Sequence, residues 1–254
     1  MCRWKTLMLP GLFITGTDTN VGKSWVTAAI AGCLRQNGHR PGVIKPVATG
    51  LTDIFSEETD AVTLLRHAGW PVNEAMLKIC CPVTFEAAAA PTVAARAEGR
   101  RLEWAEVLAG VQASLAGWAE QGADLILVEG VGGLECPLAE GGKTVADLLE
   151  LLDFPTLVVA RRGLGTLSHT ISAVQRLQRG SARVAGVILN HVPADDLHGI
   201  PESTAALELS GRIGTVGLLH DGRPAENPLK LSKQIAFLGW ERRLAKPRWM
   251  NWPE

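Results

Sequence analysis

An apolar run that ends in a glycine loop constrains this chain more than any other feature. "GLFIT" (residues 11–15) leads directly into "GTDTNVGKS", Gly16 to Ser24. A buried strand that runs into a Gly-rich turn and then a helical pattern is the opening unit of an open α/β sheet. In such sheets ligands bind beyond the carboxyl ends of the strands. Glycines let backbone N–H groups turn toward an anion, and the helix N-terminus adds its dipole. The loop departs from the G-x-x-x-x-G-K-[ST] pattern by one residue, because Thr17, Asp18, Thr19, Asn20 and Val21 all lie between Gly16 and Gly22. Lys23 is placed to meet β- and γ-phosphates, and the Ser24 hydroxyl to bind Mg2+.

Strand-like apolar runs recur at 12–15, 43–44, 125–129, 156–160, 184–189 and 215–219. Helical patterns lie between them at 24–36, 59–68, 103–121, 144–152 and 168–179, most of them closed by a glycine such as Gly69, Gly122 or Gly180. Alternating strands and helices predict an α/β fold with a mostly parallel central sheet covered by helices on both faces. No repeat or linker divides the 254 residues, so one nucleotide-binding domain is expected over 1–254. The segment "EAAAAPTVAARAEGR" is compositionally odd, either a short helix or packing against a neighbour. The text after Pro228 reads as a helix and a peripheral, Trp-bearing tail (229–254).

A net charge of −1 gives no general attraction to nucleic acid or to an anionic membrane. The longest apolar stretches are strand-sized, so no membrane span is expected. Five cysteines without a C-x-x-C pair argue against a disulfide framework and point to a reducing cytoplasm. No H-E-x-x-H occurs, which disfavours zinc.

Further polar groups fall at strand ends, on the edge that carries the loop. "KPVATG" (Lys45–Gly50) follows the second strand and includes Thr49. "VEGVGG" (Val128–Gly133) closes a later strand. There Glu129 stands where a magnesium-binding acid belongs, and Gly132 and Gly133 permit close backbone approach. Asp60 opens a helix, where an acid is often only a dipole partner. Lys23 and Lys45 are both expected in a polar cleft, where their removal does little to folding. "GLGTLSH" opens another helix at the same edge, with Ser168 as its expected cap.

Taken in order, "GTDTNVGKS", "KPVATG" and "VEGVGGLECPL" resemble the motifs of the dethiobiotin synthetase family, extra loop residue included. "TDAVTLL", "RGLGTLSH" and "VILNHV" are similar to further family segments, and the resemblance spans roughly residues 10–220. It implies ATP- and Mg2+-dependent carboxylation of 7,8-diaminononanoate with CO2 (bicarbonate) and closure of a cyclic urea. It further implies that Lys23, Lys45 and Thr19 serve the reaction. Gly16, Thr17, Asp18, Thr19, Asn20, Val21, Gly22, Lys23 and Ser24 would bind nucleotide, with Asn190 on the base. Ser24, Asp60 and Glu129 would hold magnesium. Thr49, Gly132, Gly133, Gly165, Thr166, Leu167 and Ser168 would bind the diamine, the last four from the second subunit of a homodimer.

Two other readings remain open on the sequence. One is a P-loop ATPase switch of the partition or septum-placement type, which usually carries a second lysine early in the loop, where this chain has Thr17 and Asp18. The other is a catalytically idle nucleotide-binding relative.

Overall fold

The computed structural model describes residues 9–190 and 216–219. The chain runs β1 (Gly11–Gly16), α1 (Lys23–Gln36), β2 (Pro41–Ile44), β3 (Val47–Ala48), α2 (Asp60–Ala68), α3 (Glu74–Cys80) and β4 (Val83–Thr84). It continues through α4 (Pro91–Ala97), α5 (Trp104–Glu120), β5 (Leu125–Glu129), β6 (Pro137–Ala139), β7 (Lys143–Thr144) and α6 (Val145–Leu152). The last elements among the described residues are β8 (Thr156–Arg161), α7 (Thr166–Arg179), β9 (Val184–Asn190) and β10 (Val216–Leu219).

Among the described residues six strands form one sheet in the order β10-β9-β8-β1-β5-β2, and every neighbouring pair is parallel. Every residue of β1 and β5 is buried, so these strands are covered on both faces. This is why they read as continuous apolar runs rather than alternating ones. From β1 the chain moves outward to β2 on one side, returns through β5, and then crosses to β8 on the other. The order reverses at β1, and the loop after β1 stands at that switch point.

Strand β2 is an edge, and the outward backbone groups of this stretch are occupied. Trp70 Nε1 donates to Pro41 O (2.7 Å), Trp118 Nε1 to Val43 O (2.8 Å), and the Lys45 N–H to Cys80 O (2.7 Å). The two indoles pack with centroids 5.0 Å apart, and the Arg40 guanidinium lies over Trp70. Alternate residues of one strand are thereby denied to another chain, and the strand that delivers Lys45 is fixed.

The helices expected from the sequence form within two residues of the stated bounds. Thr59 caps α2 by accepting from Val62 N, and Thr144 with Asp147 makes a capping box on α6. The odd alanine segment does contain a helix, α4, which starts at Pro91 as proline favours. Helix α3 and the two-residue strands β3, β4 and β7 had no periodic signal. The helix expected after Pro228, the 229–254 tail and Thr215 lie outside the described residues. Cys80, Cys81 and Cys136 are free thiols. Among the described residues no helix is long and apolar enough to cross a membrane.

Candidate active site

The phosphate loop is built from two left-handed residues. Gly22 caps α1 with φ 90°, and Asn20 has φ 58°, a region that asparagine tolerates better than most side chains. A Cβ at Gly16 would lie 2.8 Å from Val21 Cγ2, so the turn closes only over glycine. Asp18 braces the turn by accepting from Thr19 N (2.7 Å). Lys23 folds back across it, donating from Nζ to Asp18 O (2.7 Å). Successive N–H groups in such a turn make an anion-binding concavity.

Beside the loop, four polar side chains from four elements converge. Lys45 follows β2, Asp60 is the first residue of α2, Glu129 ends β5, and Ser24 lies in the first turn of α1. Lys45 Nζ donates to Asp60 Oδ2 (2.7 Å) and also to Glu129 Oε1. Ser24 Oγ donates to the same Glu129 oxygen (2.8 Å). Asp60 is therefore a member of the site as well as a dipole partner.

Lys23 and Lys45 lie among the polar groups of the site and are nearly closed off from solvent, 6% and 4% exposed. Burial, reinforced by the neighbouring Lys45 charge, lowers the Lys23 pKa to about 8. Burial also works against charge on Lys45, but Glu129 and Asp60 overcome it and raise its pKa. Asp60 is lowered: desolvation opposes this, and the Lys45 charge and hydrogen bond prevail. The thiols are pushed the other way, with burial raising Cys80, and Cys81 to about 12, so neither is a ready nucleophile.

Glu129 is wholly buried, yet its Oε2 has no hydrogen-bond partner. A buried carboxylate oxygen without a partner is costly. With Ser24 Oγ and Asp60 it makes a hard, all-oxygen donor set carrying two carboxylates. That suits Mg2+, which takes one or two carboxylates and completes its shell from phosphates and water. Among the described residues no group of three or more His, Cys, Asp or Glu is gathered as a metal site.

The Gly132–Gly133 turn lies against the loop. A Cβ at Gly133 would stand 3.2 Å from Thr17 O, and one at Gly132 (φ 61°) 2.8 Å from Cys136 Sγ and 3.8 Å from Thr19 Oγ1. Thr17 and Thr19 are thus brought to this turn. Thr49 is partly exposed beyond β3. Cys136 was not singled out from the sequence; its only signal is its place inside "VEGVGGLECPL".

A family model described as an AAA domain matches residues 10–225. The chain is 41% identical over 197 residues to an ATP-dependent dethiobiotin synthetase BioD of Anaeromyxobacter dehalogenans (strain 2CP-C), covering 78% of this chain and 83% of that one. It is 34% identical over 211 residues to the ATP-dependent dethiobiotin synthetase BioD of Bacillus cereus (strain B4264), covering 83% of each. The chain belongs to the dethiobiotin synthetase family. It is an ATP-dependent ligase of the carbon–nitrogen bond-forming class. Among solved structures, HypB from Helicobacter pylori in complex with nickel aligns with a TM-score of 0.52 at 13% identity, over 97% of this chain and 94% of that one. That likeness is one of fold alone.

On this dethiobiotin synthetase scaffold, two expected groups are placed differently from the sequence reading. Helix α7 is capped by Gly165 (φ 91°), and no side chain caps it. Ser168 therefore lies inside the first turn, exposed, rather than at the cap. Thr166 is buried: its hydroxyl pairs with Thr170 (3.4 Å) and its N–H donates to Gly163 O (3.1 Å). Leu167 is half-buried, and Leu164 beside it is largely exposed. Asn190, at the end of β9, has its side chain bonded to the phosphate loop at Val21 O (3.0 Å).

Proposed function

We propose that the chain carboxylates 7,8-diaminononanoate with CO2 and closes the cyclic urea of dethiobiotin at the expense of ATP. The observation that carries this reading is the convergence of Lys45, Ser24, Asp60 and Glu129 beside a loop closed by Lys23. A switch ATPase needs the loop and an acid; a second buried lysine on the far side suits a reaction that crowds several anions.

The chemistry divides into three steps. One amine adds to CO2 and loses a proton, giving a carbamate. A carbamate oxygen attacks the γ-phosphorus of ATP; ADP leaves and a carbamoyl phosphate anhydride forms. The second amine attacks the carbamoyl carbon, phosphate departs, a proton is released and the ring closes. Lys23 lies at the loop, where the β- and γ-phosphates sit, and Lys45 faces the carbamate and the phosphoryl group in transfer. Both cations act in a buried setting where charge stabilisation is strong. Ser24, Asp60 and Glu129 would hold Mg2+, which would lend positive charge to the phosphates. The loop and the Gly132–Gly133 turn set the attacking oxygen in line.

The diamine carries a carboxylate several methylenes from its amines. The N-terminal turn of α7, with Gly165 to Ser168 at the sheet's carboxyl edge, suits that group. In the proposed homodimer it is the partner's α7 that receives it.

The test is ADP release with and without the diamine and bicarbonate, with the product weighed by mass spectrometry. ATP turnover dependent on both and yielding the cyclic urea is expected. Hydrolysis at one rate regardless of either, with no urea formed, would favour the switch.

A further inference from the structure

We propose that Asn190 is a positioning residue for the phosphate loop: its side-chain amide holds the turn at Val21–Gly22 in the shape that grips a polyphosphate, whatever base the nucleotide carries. This rests on the loop being a phosphate site, and it gives Asn190 a task separate from a contact with the base.

Asn190 is 1% exposed, and its Nδ2 donates to Val21 O at 3.0 Å. The two residues are distant in sequence but interlocked in space. A Cβ at Gly22 would stand 2.0 Å from Asn190 Nδ2, so the amide reaches the carbonyl only because residue 22 has no side chain. Its own backbone is anchored, since Asn190 O accepts from Arg162 N (3.1 Å) and Asn190 pairs in register with Arg161 of β8.

The peptide between Val21 and Gly22 is planar and trans, and no cis bond occurs among the described residues. Its carbonyl and N–H therefore point in opposite directions. Holding Val21 O toward β9 turns the Gly22 N–H the other way, across the loop. If the carbonyl is released, this peptide is free to rotate, and one donor of the anion cradle is lost from its place. Gly22, with no Cβ to restrain it, is where such rotation meets least resistance.

Calorimetric binding of magnesium tripolyphosphate, which has no base, and of ATP tests this in wild type, Asn190→Ala and Asn190→Asp. Asn190→Ala is expected to weaken both ligands by the same factor, on the order of tenfold, the worth of one well-placed hydrogen bond. Asn190→Asp keeps the size but lacks the donor, and is expected to weaken both at least as much. Melting curves ensure that each variant is folded at the assay temperature. Gly22→Ala is expected to cost less phosphate affinity in the Asn190→Ala background than in wild type, because the clash is gone. Unchanged tripolyphosphate affinity in both Asn190 variants, with ATP alone weakened, would overturn the proposal in favour of a base contact. Failure of wild type to bind tripolyphosphate would instead remove the phosphate-site reading beneath it.

Discussion

Lys45 is ion-paired to Glu129 in the interior, and the Glu129 oxygen that receives it also accepts from Ser24 Oγ at 2.8 Å. Asp60 completes the arrangement 2.7 Å from the same ammonium. A lysine thus stands between the two carboxylates of the proposed magnesium donor set. Its single positive charge offsets one of their two negative charges, and Glu129 Oε2 still lacks a partner.

Lys45→Met leaves Glu129 buried without its cation. Breaking a buried pair by removing one partner costs roughly 3–5 kcal/mol. The variant is expected to melt well below wild type in chelator, and Mg2+ is expected to raise its melting temperature more than that of wild type. Turnover is expected to fall on the order of 10²-fold or more, since a cation facing the transferred phosphoryl group is lost. Equal melting temperatures in chelator would show that the pair does not matter to the fold.

Lys23 gives the free protein a pH dependence at neutral to alkaline pH. Its folded pKa, lowered to about 8 by burial first and by Lys45 next, lies below the ordinary lysine value of 10.5. Between these values the unfolded chain binds more protons, so the Lys23 contribution to stability rises as pH increases through that window. Below pH 8 its burial cost is present in full. Triphosphate favours the charged lysine, so binding should take up a proton, and affinity should fall as pH rises above about 8. Calorimetry in buffers of different ionisation enthalpy reads the proton directly. In Lys23→Arg the uptake should vanish, because the guanidinium stays charged.

The indole clasp on β2 has its own consequence. Trp118 is fully buried and holds Val43 O, two residues before Lys45. Trp118→Phe removes the donor and part of the ring. Leaving a buried carbonyl unpaired costs about 1–3 kcal/mol. Denaturant midpoints should drop accordingly, while kcat below the melting range stays near wild type. A large kcat loss in the folded variant would mean that the clasp also tunes Lys45.

Much of the site was legible because its residues sit where strands end and helices begin. Ser24, Lys45 and Glu129 each follow or close an apolar run, and topology brings such ends to one edge. Asp60 was ambiguous, because a first-turn acid has a local explanation and its partner Lys45 is set only by the fold. The burial of Lys23 and Lys45 could not be read, since it depends on neighbours from other elements. Strand periodicity says nothing of sheet order, so β5 between β1 and β2 was invisible, as was Asn190 meeting Val21 across the sheet edge. Ser168 misled because serine favours caps, whereas Gly165 supplies a left-handed residue that starts the helix earlier. Helices α3 and α4, each seven residues long, are too short for a clear 3.6-residue pattern.

The exposed Ser168 tests the shared site without disturbing the fold, which the buried Thr166 could not. Glutamate in the first turn of a helix suits its dipole, so Ser168→Glu should fold normally. Its charge would meet the diamine's carboxylate and compete for the same N–H groups. The diamine KM should rise strongly, with ATP affinity nearly unchanged. If the partner subunit supplies α7, mixing Ser168→Glu with an inactive Lys23→Ala chain restores activity. Each mixed dimer then has one site with both lesions and one with neither. At equal mixing about a quarter of all sites should be intact. A confirmed mixed dimer with no recovery would place the loop and the helix of each site in one subunit. An active monomer by sedimentation would exclude the shared arrangement altogether.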